Sequence, residues 1–191
     1  MTPKILESQR YGRNKDTTIN HAHINSGAYR KKFDLLSSNS ILNRLAYQIA
    51  KKMLIHRSGS LYEDMYWIDM DSLEIFASET EQTAHCTIQY SKSTIKAISK
   101  HKNILAMHTH PNSMPPSISD FNSAYEKHYT LCVVCCHNGK MFIYKSLGYI
   151  IEFFYKRTVA KYIKMGYDNY EAQIHALNEY SNEGYIEFKE V

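Results

Sequence analysis

The sequence predicts a mixed α/β fold, a central mixed β-sheet flanked by helices, with a helical C-terminal extension. Three observations carry that expectation. Ile41, Leu42, Leu45, Ile49 and Met53 recur at helical spacing. Short β-rich runs and helical stretches then alternate through the middle of the chain. Asn138-Gly139 separates "TLCVVCC" from "KMFIYK", a strong hairpin signal. Helix, strands, helix, strand, helix and hairpin in that order build one layered unit.

Taken in order, residues 1–37 are polar and rich in Asn, Thr, Arg and Lys. They read as a loosely structured arm that joins the domain near Tyr29–Phe33. The domain proper runs over 38–147. Its first helix has N-cap candidates in Ser38, Asn39 and Ser40 and ends near Ser58-Gly59. "LYEDMYWIDM" and "LEIFA" read as two strands split by the turn-like "DMDS", and "AHCTIQY" as a third. "SKSTIKAISKH" reads as a short helix packing Ile95 and Ile98, capped by Ser91 or Ser93. "NILAMH" is a compact apolar run, the pattern of a buried strand, and "SDFNSAYEKHY" is helical. The segment 148–191 reads as one or two helices ending in a polar tail.

The bulk properties restrict the function classes. At 191 residues the chain buries a core without staples. An apolar content of 43% with 22% charged residues is that of a water-soluble globular protein. A net charge of +4, without a dense basic run, does not argue for nucleic acid. No stretch approaches the roughly 20 apolar residues of a membrane span. "MTPKILESQR" lacks the apolar region of a secretory leader, so a cytoplasmic location is expected. Three of the four cysteines fall in "CVVCC", where pairing along one strand is awkward, so reduced, buried thiols are expected.

The chemistry concentrates in "MHTHPNSMPPSISDF", Met107 to Phe121, which holds three of the four prolines. His108 and His110 close the buried strand and, two apart, project from one face. Asp120 returns a carboxylate ten residues after His110, at the start of a helix. Two imidazoles and a carboxylate leave a fourth tetrahedral place open, which is how a catalytic zinc site is built. Pro111 ends the sheet ladder, and Pro115 and Pro116 stiffen the excursion that returns Ser117 and Asp120. Ser117-x-x-Asp120 also fits a helix capping box, whose role is to satisfy backbone N–H groups. "HAH" at His21–His23 is a second His-x-His pair. It sits in the polar arm without a rigid scaffold and is not expected to bind metal.

The whole string, with an upstream Glu, resembles the signature of the JAMM/MPN+ (JAB domain) zinc metalloproteases: His-[Ser/Thr]-His-Pro followed by Ser-x-x-Asp. The loop between the second His and the Ser is one residue shorter here than in the best-known members. The resemblance covers residues 38–147 and implies their three-layer, cytidine-deaminase-like architecture. It implies zinc on His108, His110 and Asp120. Ser117 would hydrogen-bond the oxyanion or position the scissile carbonyl, and a Glu would be general base and acid. Glu63, on the first strand after the first helix, fits that place better than Glu74, Glu79 or Glu81.

The expected function is a zinc-dependent peptidase that hydrolyses a peptide or isopeptide bond. Its substrate would be a peptide or protein, with ubiquitin-like modifiers among the candidates. The Lys-, Ile-, Asn- and Tyr-rich composition suggests an AT-rich genome and a bacterial, phage, conjugative or toxin-system context. Two rivals belong to other classes. One is a non-catalytic MPN-like scaffold, which usually lacks ligands that are all present here. The other is a RadC-like protein linked to DNA metabolism, for which the arm offers Arg10, Arg13, Lys15, Arg30, Lys31 and Lys32 but no glycine-hairpin pattern.

Overall fold

A computed structural model describes residues 12–191. Residues 1–11, on which the expectation of no secretory leader and the first part of the expected arm fall, lie outside the described residues. Six strands form one mixed sheet in the order β2-β1-β3-β4-β5-β6. They are β1 (Met65–Asp69), β2 (Ile75–Glu79), β3 (Ile104–His110), β4 (Leu131–Cys136), β5 (Met141–Ser146) and β6 (Ile186–Glu190). Only β3 and β4 run parallel; every other neighbouring pair is antiparallel.

Helices cover both faces, as the mixed α/β expectation requires. Helix α3 (Ser40–Arg57) lies on one face, its N-terminus capped by Asn39, whose side chain accepts from the backbone of Ile41 and Leu42. Its Leu42, Ala46, Ile49, Ala50 and Met53 pack against Leu105 and Met107 of β3. Ile41, in its first turn, stays exposed. On the other face, α5 (Ile118–Glu126) contributes Phe121 and Ala124, and α7 (Asn169–Asn182) contributes Ala176, Leu177 and Tyr180, against Ile104 and Ala106. Helix α5 is the crossover between the parallel strands β3 and β4. The hairpin expected at Asn138-Gly139 joins β4 to β5, and Gly139 takes the left-handed conformation that the turn needs, at φ 89°. Cys132, Cys135 and Cys136 are buried free thiols on β4, and Cys86 is exposed.

Three local expectations need correction. The segment up to residue 37 is no loose arm where it is described. It folds as α1 (His21–Ile24) and α2 (Gly27–Lys32) between 3-10 turns, and it buries Ile19, Ile24, Tyr29, Phe33 and Leu36 in the α3-side core. These five apolar residues share the buried side while Leu35 stays exposed, and average polarity hides that. "AHCTIQY" is not a strand: residues 83–91 form a loop, closed by Gln82, whose side chain accepts from Gln89 N at 2.7 Å. Finally, after α6 (Glu152–Lys164) and α7, the chain ends in β6 rather than in a polar tail. Ile186 and Phe188 alternate with charged residues there, a period of two that pairs with β5. Helix α4 (Lys92–Ile98) forms as expected, capped by Ser91, with Ile98 buried but Ile95 exposed. Among the described residues, no helix is long and apolar enough to cross a membrane.

Candidate metal centre

Strand β3 is buried along its whole length. Leu105 and Met107 face α3 while Ile104 and Ala106 face α5. Alternation therefore turns His108 and His110 together toward α5. The centre lies at the carboxyl end of β3, where parallel pairing with β4 and the crossover helix open a crevice, the usual ligand position in such sheets.

His108 Nε2 and His110 Nε2 are 3.0 Å apart. Asp120 Oδ1 lies 3.3 Å from His108 Nε2, and Oδ2 3.4 Å from His110 Nε2. Ligands about 2.0–2.2 Å from a tetrahedral ion stand about 3.3–3.6 Å from one another. Each ring nitrogen thus stands about that far from one carboxylate oxygen. With one ligand atom per residue all three lie within 4.8 Å of one another, so the three residues could hold a metal ion.

The surroundings hold these ligands in place. His110 Nδ1 donates to the Met114 carbonyl at 2.9 Å, which turns Nε2 toward the centre. Asp120 is positioned by the capping box of α5: its Oδ2 accepts from Ser117 N and from Ser117 Oγ, both at 2.7 Å. Both sequence readings of Ser117-x-x-Asp120 thus meet in one structure. The single hydroxyl proton of Ser117 goes to Asp120, so Ser117 orients a ligand rather than presenting a free donor to an oxyanion.

Glu63 immediately precedes Asp64 and β1. Met65 pairs with His108, and the Asp64 carbonyl accepts from Thr109 N. Continuing that register sets Glu63 opposite His110. Its side chain is 5% exposed and lines the same cavity of about 430 Å³ as His108, His110, Ser117 and Asp120. Glu74, Glu79 and Glu81 do not line it. Glu79 instead anchors the loop end by accepting from Ser91 N at 2.8 Å.

A buried network explains why the Glu63 segment is fixed. Asp64, 1% exposed, accepts from His56 Nδ1 at 2.6 Å and from Arg57 Nε at 2.5 Å. Arg57 also donates to the Thr80 carbonyl. Asp64 N donates to the Thr109 hydroxyl at 3.1 Å, so the residue between the two histidines is tied to the residue beside Glu63. The end of α3, the start of β1 and the end of β3 thereby form one unit. Sequence reasoning missed this network, because "HRSGSLYED" offers no spacing signal for a buried Asp paired with a histidine and an arginine across a turn.

The electrostatics follow from burial. Desolvation raises the Glu63 carboxyl above its ordinary value, and His110 and then His108 pull it part of the way back. Burial pushes the His110 imidazole down, but the hydrogen bond and charge of Asp120 outweigh it and lift it to about 9. Asp120, against its own desolvation, is held well below the usual carboxylate range by His108 and His110. The field that favours a proton on His110 favours any cation that competes for the same nitrogen.

His21 and His23 do not join this group, nor does any other histidine. His137, next to His110 in the sheet, turns its Nδ1 to the Thr17 carbonyl at 2.6 Å, and burial lowers it to about 4. The remaining cavity wall includes Cys86, Ile88 and Tyr90 from the loop read as a strand, and Asn169 and Gln173 from α7. Those two α7 residues carry no motif that the sequence could expose. Comparison with family models, with curated proteins and with solved structures finds no match.

Proposed function

We propose that the protein is a zinc-dependent metallopeptidase of the JAMM type, hydrolysing a peptide or isopeptide bond. One observation carries the reading: two imidazole nitrogens and a carboxylate converge within 3.0–3.4 Å at the end of β3, in a cavity that also holds the buried Glu63. Nitrogen and oxygen donors in a three-residue set with a place left open suit catalytic zinc. When bound, zinc would act as a Lewis acid on a carbonyl and bring the pKa of a water molecule to about 7.

The chain's own groups have distinct tasks. His108, His110 and Asp120 would hold the ion, and Ser117 would hold Asp120. Glu63 accepts a proton from the attacking water as its oxygen bonds to the carbonyl carbon. It then delivers that proton to the leaving nitrogen as the C–N bond breaks, and returns to carboxylate. Its burial serves both steps, because a carboxyl raised above its ordinary value is both a better base and still a competent acid. Among the described residues the lining of the cavity has Glu63 and Asp120 and no Lys or Arg, which supports a peptide substrate over a phosphate backbone.

Zinc content of the purified protein and cleavage of a peptide library test the reading together. Stoichiometric zinc and cleavage that disappears in Glu63→Gln are expected. A zinc-free protein, or Glu63→Gln cleaving as fast as wild type, refutes it.

A further inference from the structure

The cavity at the metal centre is not closed by the motif-bearing residues alone. Asn169 and Gln173, one turn apart on α7, form part of its wall. Gln173 Nε2 donates to Asn169 Oδ1 at 3.3 Å. That bond leaves the Asn169 amide N–H groups and the Gln173 carbonyl oxygen for an incoming group. A donor and an acceptor side by side complement the C=O and N–H of a polypeptide backbone.

Gln173 and Ser117 also line a second cavity, of about 330 Å³. Its other walls include Ile118 of α5 and Tyr155, Val159, Ala160 and Ile163 of α6. Helix α6 buries only Tyr155 of its own residues, so this apolar groove stays open to solvent. A Lys156–Glu152 ion pair at 2.7 Å borders it. The volume lies at the lower end of roughly 300–1,000 Å³ for ligand sites and suits a side chain.

We infer that α6 and α7 build a substrate subsite beside the metal centre. The Asn169–Gln173 pair binds the main chain of an extended polypeptide, and the groove takes a bulky apolar side chain adjoining the scissile bond. This rests on the metallopeptidase reading, and continuity carries it: Gln173 of the amide pair and Ser117 are shared by the polar cavity and the apolar one. Glu63 and Asp120 disfavour an anionic ligand in the polar cavity, and in the groove the charge of Glu152 is balanced by Lys156.

Binding of two zinc chelators to the zinc-loaded full chain, measured by calorimetry, decides it. Acetohydroxamate reaches the metal alone, and N-acetylphenylalanine hydroxamate adds a peptide unit and an aromatic side chain. The aromatic compound is expected to bind at least about tenfold tighter, the scale of burying one large apolar side chain. Ala160→Phe, which fills the groove, and Ile163→Asp, which charges its wall, each alter an exposed residue. Both should cut that ratio to the several-fold share of the amide pair and leave acetohydroxamate unchanged. Gln173→Ala should lower the wild-type ratio several-fold, and an unchanged ratio there overturns the amide role. Equal affinities in the wild type, or the full gain surviving both groove variants, overturns the subsite alone. Failure of acetohydroxamate to bind the wild type overturns the metal-centre reading and the subsite with it.

Discussion

The chain carries two His-x-His pairs, and the fold treats them in opposite ways. His21 and His23 lie on α1, a single helical turn at the surface. Residues two apart on a helix point about 200° from each other, so the rings cannot share an ion. His23 leans instead against Tyr29, with ring centroids 5.4 Å apart, and touches the hairpin turn at Gly139. His108 and His110 lie on a buried strand, where the same spacing returns both rings to one face, Nε2 to Nε2 at 3.0 Å. The motif is thus a statement about spacing, and secondary structure decides whether it converges. Depth adds a second difference. The strand pair is braced behind by the His56–Arg57–Asp64 network and in front by Asp120, whereas the helical pair has no carboxylate aimed at it.

Variants can break or sharpen this contrast. The largest effect is expected at His110. His110→Ala removes one of three ligands, so zinc measured by elemental analysis should fall from stoichiometric to near background. Added zinc should then no longer raise the melting temperature, a shift that reports binding to the folded state alone. Retention of full zinc would show that the strand pair is no more a ligand set than the helical one.

Glu63→Gln comes next. It keeps shape and hydrogen bonding, so zinc content and fold should match wild type. The rate constant kcat should drop about 10²–10⁴-fold with little change in KM, as for a lost general base. An unchanged rate would leave the metal centre standing without its assigned base.

Asp64→Ala tests the bracing. It leaves the buried Arg57 and His56 without their carboxylate, and breaking such a pair costs about 3–5 kcal/mol. A urea titration should show that loss. Zinc affinity should weaken as well, because the backbone N–H of residue 64, which still donates to Thr109 between the two histidines, is no longer held through His56 and Arg57. Normal stability would mean that the strand pair converges without help from behind.

The smallest effect is expected at the helical pair. The double variant His21→Ala/His23→Ala should cost no more than about 1 kcal/mol, from the lost contact with Tyr29. Its zinc content and its zinc-induced stabilisation should equal those of wild type. Loss of zinc there would erase the distinction.

Much of this was legible in the residues. The helical period of α3, the Asn138-Gly139 turn and the run "NILAMH" are local signals, and local sterics and burial act on them directly. The convergence of His108, His110 and Asp120 was legible because two of them share a strand and the third starts the next helix, so short-range geometry brings them together. The loop around Cys86 misled, since its β-prone residues pair with no strand and line the cavity instead. The N-terminal segment misled because five buried apolar side chains suffice to dock it against α3, whatever the polarity of the rest.

What the sequence determined by itself is therefore what neighbours in the chain impose: strand and helix periods, caps, the hairpin, and the chemistry of His108, His110 and Asp120. Tertiary structure alone decided the partners that are remote in sequence. It set Glu63 opposite His110, joined Arg57 and His56 to Asp64, returned the C-terminus as β6, and brought Asn169 and Gln173 of α7 to the cavity. The physical reason is that such contacts are chosen by shared burial and hydrogen-bond satisfaction across the whole sheet. No short window of residues records which distant group will satisfy them.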